Sequence, residues 1–170
     1  MHSDPIEVRI ASVDDAGEIA RVIVASWRSS YRGIVPDEAL AKLSVEERSR
    51  MWGAILSERK GAAFVASRDS EVVGTAHIGP GSDPATYELF CIYVLEEEWG
   101  KGIGARLLQS AMDEARKSAG GRITAWVLLD NARARRFYER MGFEIDSEPV
   151  PSRWPGMQQI RYGISLRSAQ

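Results

Sequence analysis

The sequence predicts an α/β fold, with one mixed, mostly antiparallel central sheet and helices on both faces. Three observations predict it. The hydrophobic pattern switches at Ala62 from helical spacing to strand-like runs. A strand then leads into a glycine-rich turn that opens a strongly helical segment at Gly104. The element order is strand, helices, three strands, helix, strand, helix, two strands, which interleaves the two types along the chain.

Taken in order, Ile6 to Ile10 alternates apolar and polar residues and reads as a half-buried strand. Ser12 can cap the helix that follows. Asp14 and Asp15 suit its first turn, and Ile19, Val22, Ile23 and Trp27 recur at helical spacing. Gly33 and Pro36 break that pattern; Asp37 to Leu43 and Val45 to Leu56 then suggest two helices, the second capped by Ser44. Ala62 to Ala66, Val72 to Ile78 and Thr86 to Leu95 read as strands. Asp69-Ser70 and the Gly79 to Pro84 cluster separate them, as in an antiparallel meander.

Gly104 to Ala119 is helical and stops at Gly120-Gly121. Ile123 to Leu129 follows as an apolar strand, and Ala132 to Arg140 as a helix ending at Gly142. Phe143 to Val150 and Met157 to Leu166 close the sheet as a pair of strands around the Pro151 to Gly156 loop.

Composition narrows the function. The 170 residues show no linker, repeat or low-complexity tract, so residues 1–170 read as one domain. A net charge of −2, with 27% charged residues of both signs, lacks the basic footprint that nucleic acid needs. No apolar run is long enough to cross a bilayer, and Met1 to Arg9 has no apolar stretch of a secretory signal. Cys91 is the only cysteine, which fits a reducing compartment and predicts a cytoplasmic protein. With only His2 and His77, a zinc site is not expected, and a Ser-His-Asp triad could be built only through His77.

The chemistry concentrates between Glu88 and Phe143. In Trp99-Gly-Lys-Gly-Ile-Gly104, glycines let backbone N–H groups approach an anion, and the helix that follows adds partial positive charge. The alternative is a tight strand-to-helix turn with no ligand. Gly100, Gly102 and Ala105 also satisfy the dinucleotide fingerprint, but no acid lies where a ribose would need one: Thr124 and its neighbours supply none, and Asp130 comes late.

The loop is similar to the pyrophosphate loop Q/R-x-x-G-x-G/A of the GNAT superfamily of N-acetyltransferases, from which it departs at Trp99. Ile92-Tyr-Val94 looks like the strand end that pairs with pantetheine in that family. The run from Asn131 to Phe143 resembles the later segment N-x-x-A-x-x-F/Y-Y-x-x-x-G-F. The resemblance implies a GNAT-like fold and acetyl-CoA as cosubstrate, without a metal. It implies cofactor contacts from Ile92, Tyr93 and Val94, from Trp99, Gly100, Lys101, Gly102, Ile103, Gly104 and Ala105, and from Asn131, Ala134 and Tyr138.

Tyr138 matches the family tyrosine that can protonate the leaving thiolate; its other reading is core packing on Phe137 and Phe143. Glu88 stands where some members carry a general base, and could equally be a solvent-facing strand residue or an ion-pair partner. The resemblance also places Trp27 to Pro36 over the acceptor. There Trp27 and Tyr31, four apart on one helix, either hold an ammonium by cation–π contact or pack the helix on the sheet. His77 and Cys91 read as structural, and Glu96 to Glu98 as a solvated face.

Together these readings imply direct acetyl transfer to a primary amine of a small molecule, polyamine-like or other, with no covalent enzyme intermediate. Strand N–H groups near Ile92 to Val94 would steady the oxyanion. Two alternatives remain at this stage: a protein or peptide N-acetyltransferase, and an idle acyl-CoA sensor, which would dispense with Tyr138 and Glu88. A homodimer is left open; neither nucleic acid nor membrane is an expected partner.

Overall fold

The structure, a computed structural model, describes residues 6–166. His2 and the start of the segment read as lacking a signal therefore lie outside the described residues. The chain forms β1 (Glu7–Ile10), α1 (Ala16–Ser30), α2 (Asp37–Ala41), α3 (Val45–Glu58), β2 (Ala62–Arg68), β3 (Glu71–Pro80), β4 (Thr86–Val94), α4 (Ile103–Lys117), β5 (Arg122–Leu128), α5 (Ala132–Arg140), β6 (Glu144–Ile145), β7 (Val150–Pro151) and β8 (Gln158–Ser165). One sheet runs in the order β1-β2-β3-β4-β5-β8-β6, with β7 also on β8, and β4–β5 is its parallel pair.

Local chemistry explains the element ends. Ser44 Oγ accepts the Glu47 N–H at 3.2 Å and starts α3. Asp69 and Ser70, with φ of 51° and 67°, make the two-residue turn whose twist suits the β2–β3 hairpin. A short 3-10 turn, Val13–Asp15, intervenes before α1, and there the Asp15 carboxylate accepts the Ser12 N–H at 2.7 Å. Asp15 also holds Arg9 at 2.8 Å, tying β1 to the entrance of α1.

The two helical layers occupy opposite faces of β3. A Cβ on Gly74 would meet Leu107 and Ile103 of α4, whereas His77, on the other face, packs its ring against Trp52 of α3 at 5.4 Å. Ile19, Val22 and Ile23 of α1 and Leu107, Leu108 and Ala111 of α4 are buried between helix and sheet, each large aliphatic side chain contributing roughly 1.5–3 kcal/mol.

One expected strand is corrected. Phe143 to Val150 is not continuous: β6 ends at Ile145, and Asp146 turns to ion-pair with Arg122 and Arg161 at 2.6 and 2.7 Å. Ser147 Oγ then accepts the Arg161 N–H at 3.0 Å, so a side chain takes the place of a ladder carbonyl.

A β-bulge positions the site. Across β3–β4, His77 faces Cys91 while Ile78 faces Leu89, leaving Phe90 as the extra residue. Pairing of β4 with β5 stops at Glu88–Thr124, immediately before this bulge. Beyond it the two strands diverge. The bulge also resets the alternation, so Glu88 lies on the face of Cys91 and Tyr93, towards α1 and α3, and Leu89 and Ile92 lie on the other.

Candidate active site

The fork between β4 and β5 opens into a cleft of about 390 Å³. Leu89 to Val94 form one wall and Trp126 to Leu128 the other; Tyr31 borders one end, and the starts of α4 and α5 the opposite end. An edge of β4 beyond Glu88 is thus left without a neighbouring strand, with main-chain groups able to pair with an extended ligand.

At the helical end, Gly100 and Gly102 have φ of 76° and 79°, and a Cβ on either would meet nothing within 4 Å. The backbone there is curled and uncovered. Only a residue without a side chain keeps the curl unstrained and the concavity open. Gly104, in the first turn of α4, lets the Phe137 ring approach: a Cβ would lie 3.3 Å from it. Asn131 Oδ1 accepts the Ala134 N–H at 3.1 Å and caps α5, and the first residues of both α4 and α5 line the cleft.

Residues 17–143 match the Acetyltransferase (GNAT) family. YuaI of Bacillus subtilis, an uncharacterized N-acetyltransferase, is 32% identical over 129 residues, 74% of this chain and 73% of that protein. An uncharacterized N-acetyltransferase of Archaeoglobus fulgidus is 33% identical over 138 residues, 78% of this chain and 89% of its own. The chain belongs to the GNAT family. The PaiA N-acetyltransferase of Thermoplasma acidophilum, solved in complex with coenzyme A, has the same fold at a TM-score of 0.75 and 23% identity, over 92% of this chain and 98% of that one.

As a GNAT protein it is an acyl-CoA-dependent N-acetyltransferase with acetyl-CoA as cosubstrate, which supplies the acetyl group already activated as a thioester. The residues present fit that group. Bare amides in a positive-φ loop suit phosphate oxygens, and the unpaired edge of β4 suits an amide-bearing pantetheine arm.

Of the residues implicated by sequence, Ile92, Tyr93, Val94, Trp99, Gly100, Gly102, Ile103, Gly104, Ala105, Asn131, Ala134 and Tyr138 line the cleft, as does Tyr31. Lys101 does not; its ammonium lies 3.3 Å from Glu98. Glu98 is itself a correction to the solvated face expected of Glu96 to Glu98, because it is buried and also pairs with Arg68 at 3.0 Å. Burial pushes its carboxyl up, but the hydrogen bonds and charges of Arg68 and Lys101 prevail and hold it below the usual range. The glycine loop is thereby anchored to β2.

Of its two readings, Trp27 takes the packing one. It is buried and does not reach the cleft; its ring packs edge-on against Tyr31 and Trp154, and the guanidinium carbons of Arg48 and Arg153 sit 4.6 and 4.4 Å from its ring centroids. Resident cations already use its π faces.

Tyr138 is buried among Phe137, Phe143 and Tyr162, and its hydroxyl has no hydrogen-bond partner among the described residues. Burial first, then the neighbouring Tyr31 and Cys91, push that hydroxyl well above the ordinary phenol value. It stays protonated and can donate a hydrogen bond to a sulfur anion. The Cys91 thiol lines the same cleft and is pushed up to about 12 by burial, so it is not a thiolate near neutral pH. The Tyr31 and Tyr93 hydroxyls approach to 3.5 Å.

Glu88 stands at the root of the fork rather than in the lining, beside the lining residues Leu89 and Phe90. Burial raises its carboxyl, opposed by the charge of Arg161. Sequence reasoning missed Phe90, Arg133 and Arg140, which also line the cleft. Phe90 is fixed there by the bulge, which only cross-strand pairing discloses. The two arginines read as part of a polar helix, although their spacing of seven places both on one face of α5.

Proposed function

We propose that the chain transfers the acetyl group directly to a primary amine of a small molecule. The acceptor nitrogen attacks the thioester carbonyl within a ternary complex, main-chain N–H groups of β4 steady the oxyanion, and the C–S bond then breaks. Glu88, its carboxyl raised by burial, takes the ammonium proton directly or through water. Tyr138 donates to the departing sulfur. The high-pKa thiol of Cys91 supports transfer without an acetyl-cysteine intermediate.

One observation carries the preference for a small acceptor. Beyond Tyr31, residues Val35, Leu40, Leu128, Trp154 and Met157 form a single apolar cluster, so the α1–α2 connection and the loop before β8 meet across the acceptor side. A wall built by the chain itself favours a compact acceptor over an extended polypeptide. The cations at Trp27 further favour amines of low positive charge over polyamines. Cys91 as a reduced thiol keeps a cytoplasmic site of action within this reading.

The test is to follow CoA release from acetyl-CoA with monoamines, amino acids, polyamines and peptides as acceptors. Turnover is expected with small amines carrying one ammonium. Turnover confined to peptides would overturn the small-molecule reading, and faster turnover with polyamines would overturn the charge argument.

A further inference from the structure

Where related loops carry Gln or Arg, this one carries Trp99, and the structure shows what occupies the space. The Trp99 indole is fixed by its own N–H, which donates to the Val94 carbonyl at 2.9 Å. Over the ring lies the guanidinium of Arg133, its carbon 3.2 Å from the ring centroid. Trp99 and Arg133 both line the cleft beside Gly100 and Gly102. We propose that Arg133, held flat on the Trp99 indole, is the side chain that binds the CoA pyrophosphate alongside the glycine loop, replacing from α5 the polar residue that the loop lacks.

The proposal rests on the reading of the loop as the pyrophosphate cradle, and four observations carry it further. A guanidinium stacked on an aromatic ring keeps its edge N–H groups directed outward, the geometry that matches phosphate oxygens. Arg133 forms no ion pair among the described residues; Glu96, whose charge acts on it without contact, is itself paired with Arg32 at 3.7 Å. The loop's own cation, Lys101, is held by Glu98 at 3.3 Å and lies outside the cleft lining. Arg140, the other cation of the lining without an ion pair among the described residues, stands seven residues further along α5, about 10 Å along the helix axis.

Calorimetric titration of the full chain with CoA and with 3′-dephospho-CoA tests this in four proteins: wild type, Arg133→Gln, Trp99→Arg, and the double variant. Arg133 is exposed at the cleft rim, so its substitution leaves the core untouched, and thermal unfolding of each variant verifies that. Loss of one charge-assisted contact predicts about tenfold or greater weakening by Arg133→Gln, equal for both ligands because both carry the pyrophosphate. Trp99→Arg in the Arg133→Gln background is expected to restore most of the affinity, by returning a guanidinium from the loop side. Unchanged affinity in Arg133→Gln overturns the proposal, as does failure of Trp99→Arg to rescue it. A loss seen with CoA but not with 3′-dephospho-CoA reassigns Arg133 to the 3′-phosphate and overturns it too. Failure of the wild type to bind either ligand would strike at the cradle reading itself, and the same titrations reveal it.

Discussion

Replacing Tyr138 by Phe separates packing from the proposed chemistry, because the packing rests on the ring and the proposed proton donation on the hydroxyl. The ring supplies the packing: its centroid lies 5.3 Å from those of Phe137 and Phe143 and 5.9 Å from that of Tyr162, and Phe preserves all three contacts. The hydroxyl contributes no hydrogen bond to the fold among the described residues. Stability should therefore change by no more than about 0.5 kcal/mol, a Tm shift of about 2 °C or less for a chain of this size. In the proposed reaction the hydroxyl faces a sulfur gaining negative charge, and a hydrogen bond to a charged group contributes about 1.5–3 kcal/mol. At about 1.4 kcal/mol per factor of ten, kcat should fall about 10- to 150-fold. The KM for acetyl-CoA should change little, since the charge exists only in the transition state. Steady-state kinetics with acetyl-CoA and an accepted amine, beside a thermal melt, measure both. A kcat within twofold of wild type would refute the reasoning and leave Tyr138 as a packing residue.

Three further outcomes follow from the geometry. Gly102→Val should weaken CoA binding at least tenfold by filling the cradle, whereas Gly156→Val, at a similar φ of 75° with equally open space, imposes comparable backbone strain and should not; calorimetry on both makes the comparison. The acid limb of the wild-type pH–rate profile should fall as pH drops through a Glu88 pKa raised above the ordinary carboxylate value, and Glu88→Gln should remove that limb while lowering the neutral-pH rate. Asp15, lowered from 3.8 to about 2 chiefly by its hydrogen bond with Arg9, contributes stability that is complete above the unfolded value and lost as pH falls towards 2; with Arg9 45% exposed, about 1–2 kcal/mol is expected, and Asp15→Asn should abolish that part of the acid sensitivity of the urea midpoint.

What could be read from the chain alone was what short-range chemistry encodes. The helix expected over Ala132 to Arg140 starts there because Asn131 caps it and stops before Gly142, whose φ is 86°, and both are local signals. The glycine loop was legible for a similar reason: positive φ at Gly100 and Gly102 is demanded by the turn itself, whatever lies around it. Phe143 to Val150 failed because the ladder ends just after Asp146, whose N–H still donates to the Arg161 carbonyl at 3.0 Å: the Ser147 hydroxyl then takes the Arg161 N–H, and the Asp146 carboxylate ties Arg122 and Arg161, partners that no local pattern announces. Trp27 was ambiguous on the same grounds: its helical spacing is equally that of a core residue and a binding residue, and the arginines that settle its surroundings come from Arg48 and Arg153, distant in sequence.

The Phe90 bulge shows why a motif can be right while its geometry stays hidden. Strict alternation from Ile92 back along β4 would put Glu88 on the same face as Ile92, towards α4. One additional residue reverses that and turns Glu88 towards the face of Tyr93, α1 and the apolar acceptor wall. The same irregularity bends β4 away from β5, and the pairing of the two strands ends next to it. The bulge thus opens the fork for the pantetheine arm while keeping Glu88 on the face of Cys91 and Tyr93. Deleting Phe90 should separate these two effects: it would make the His77–Cys91, Ile78–Leu89 and Gly79–Glu88 pairs consecutive and draw β4 onto β5, while Glu88 keeps its face. CoA binding should then be lost in a protein that still melts cooperatively. A deletion variant that keeps its affinity for CoA would show that the fork has another cause.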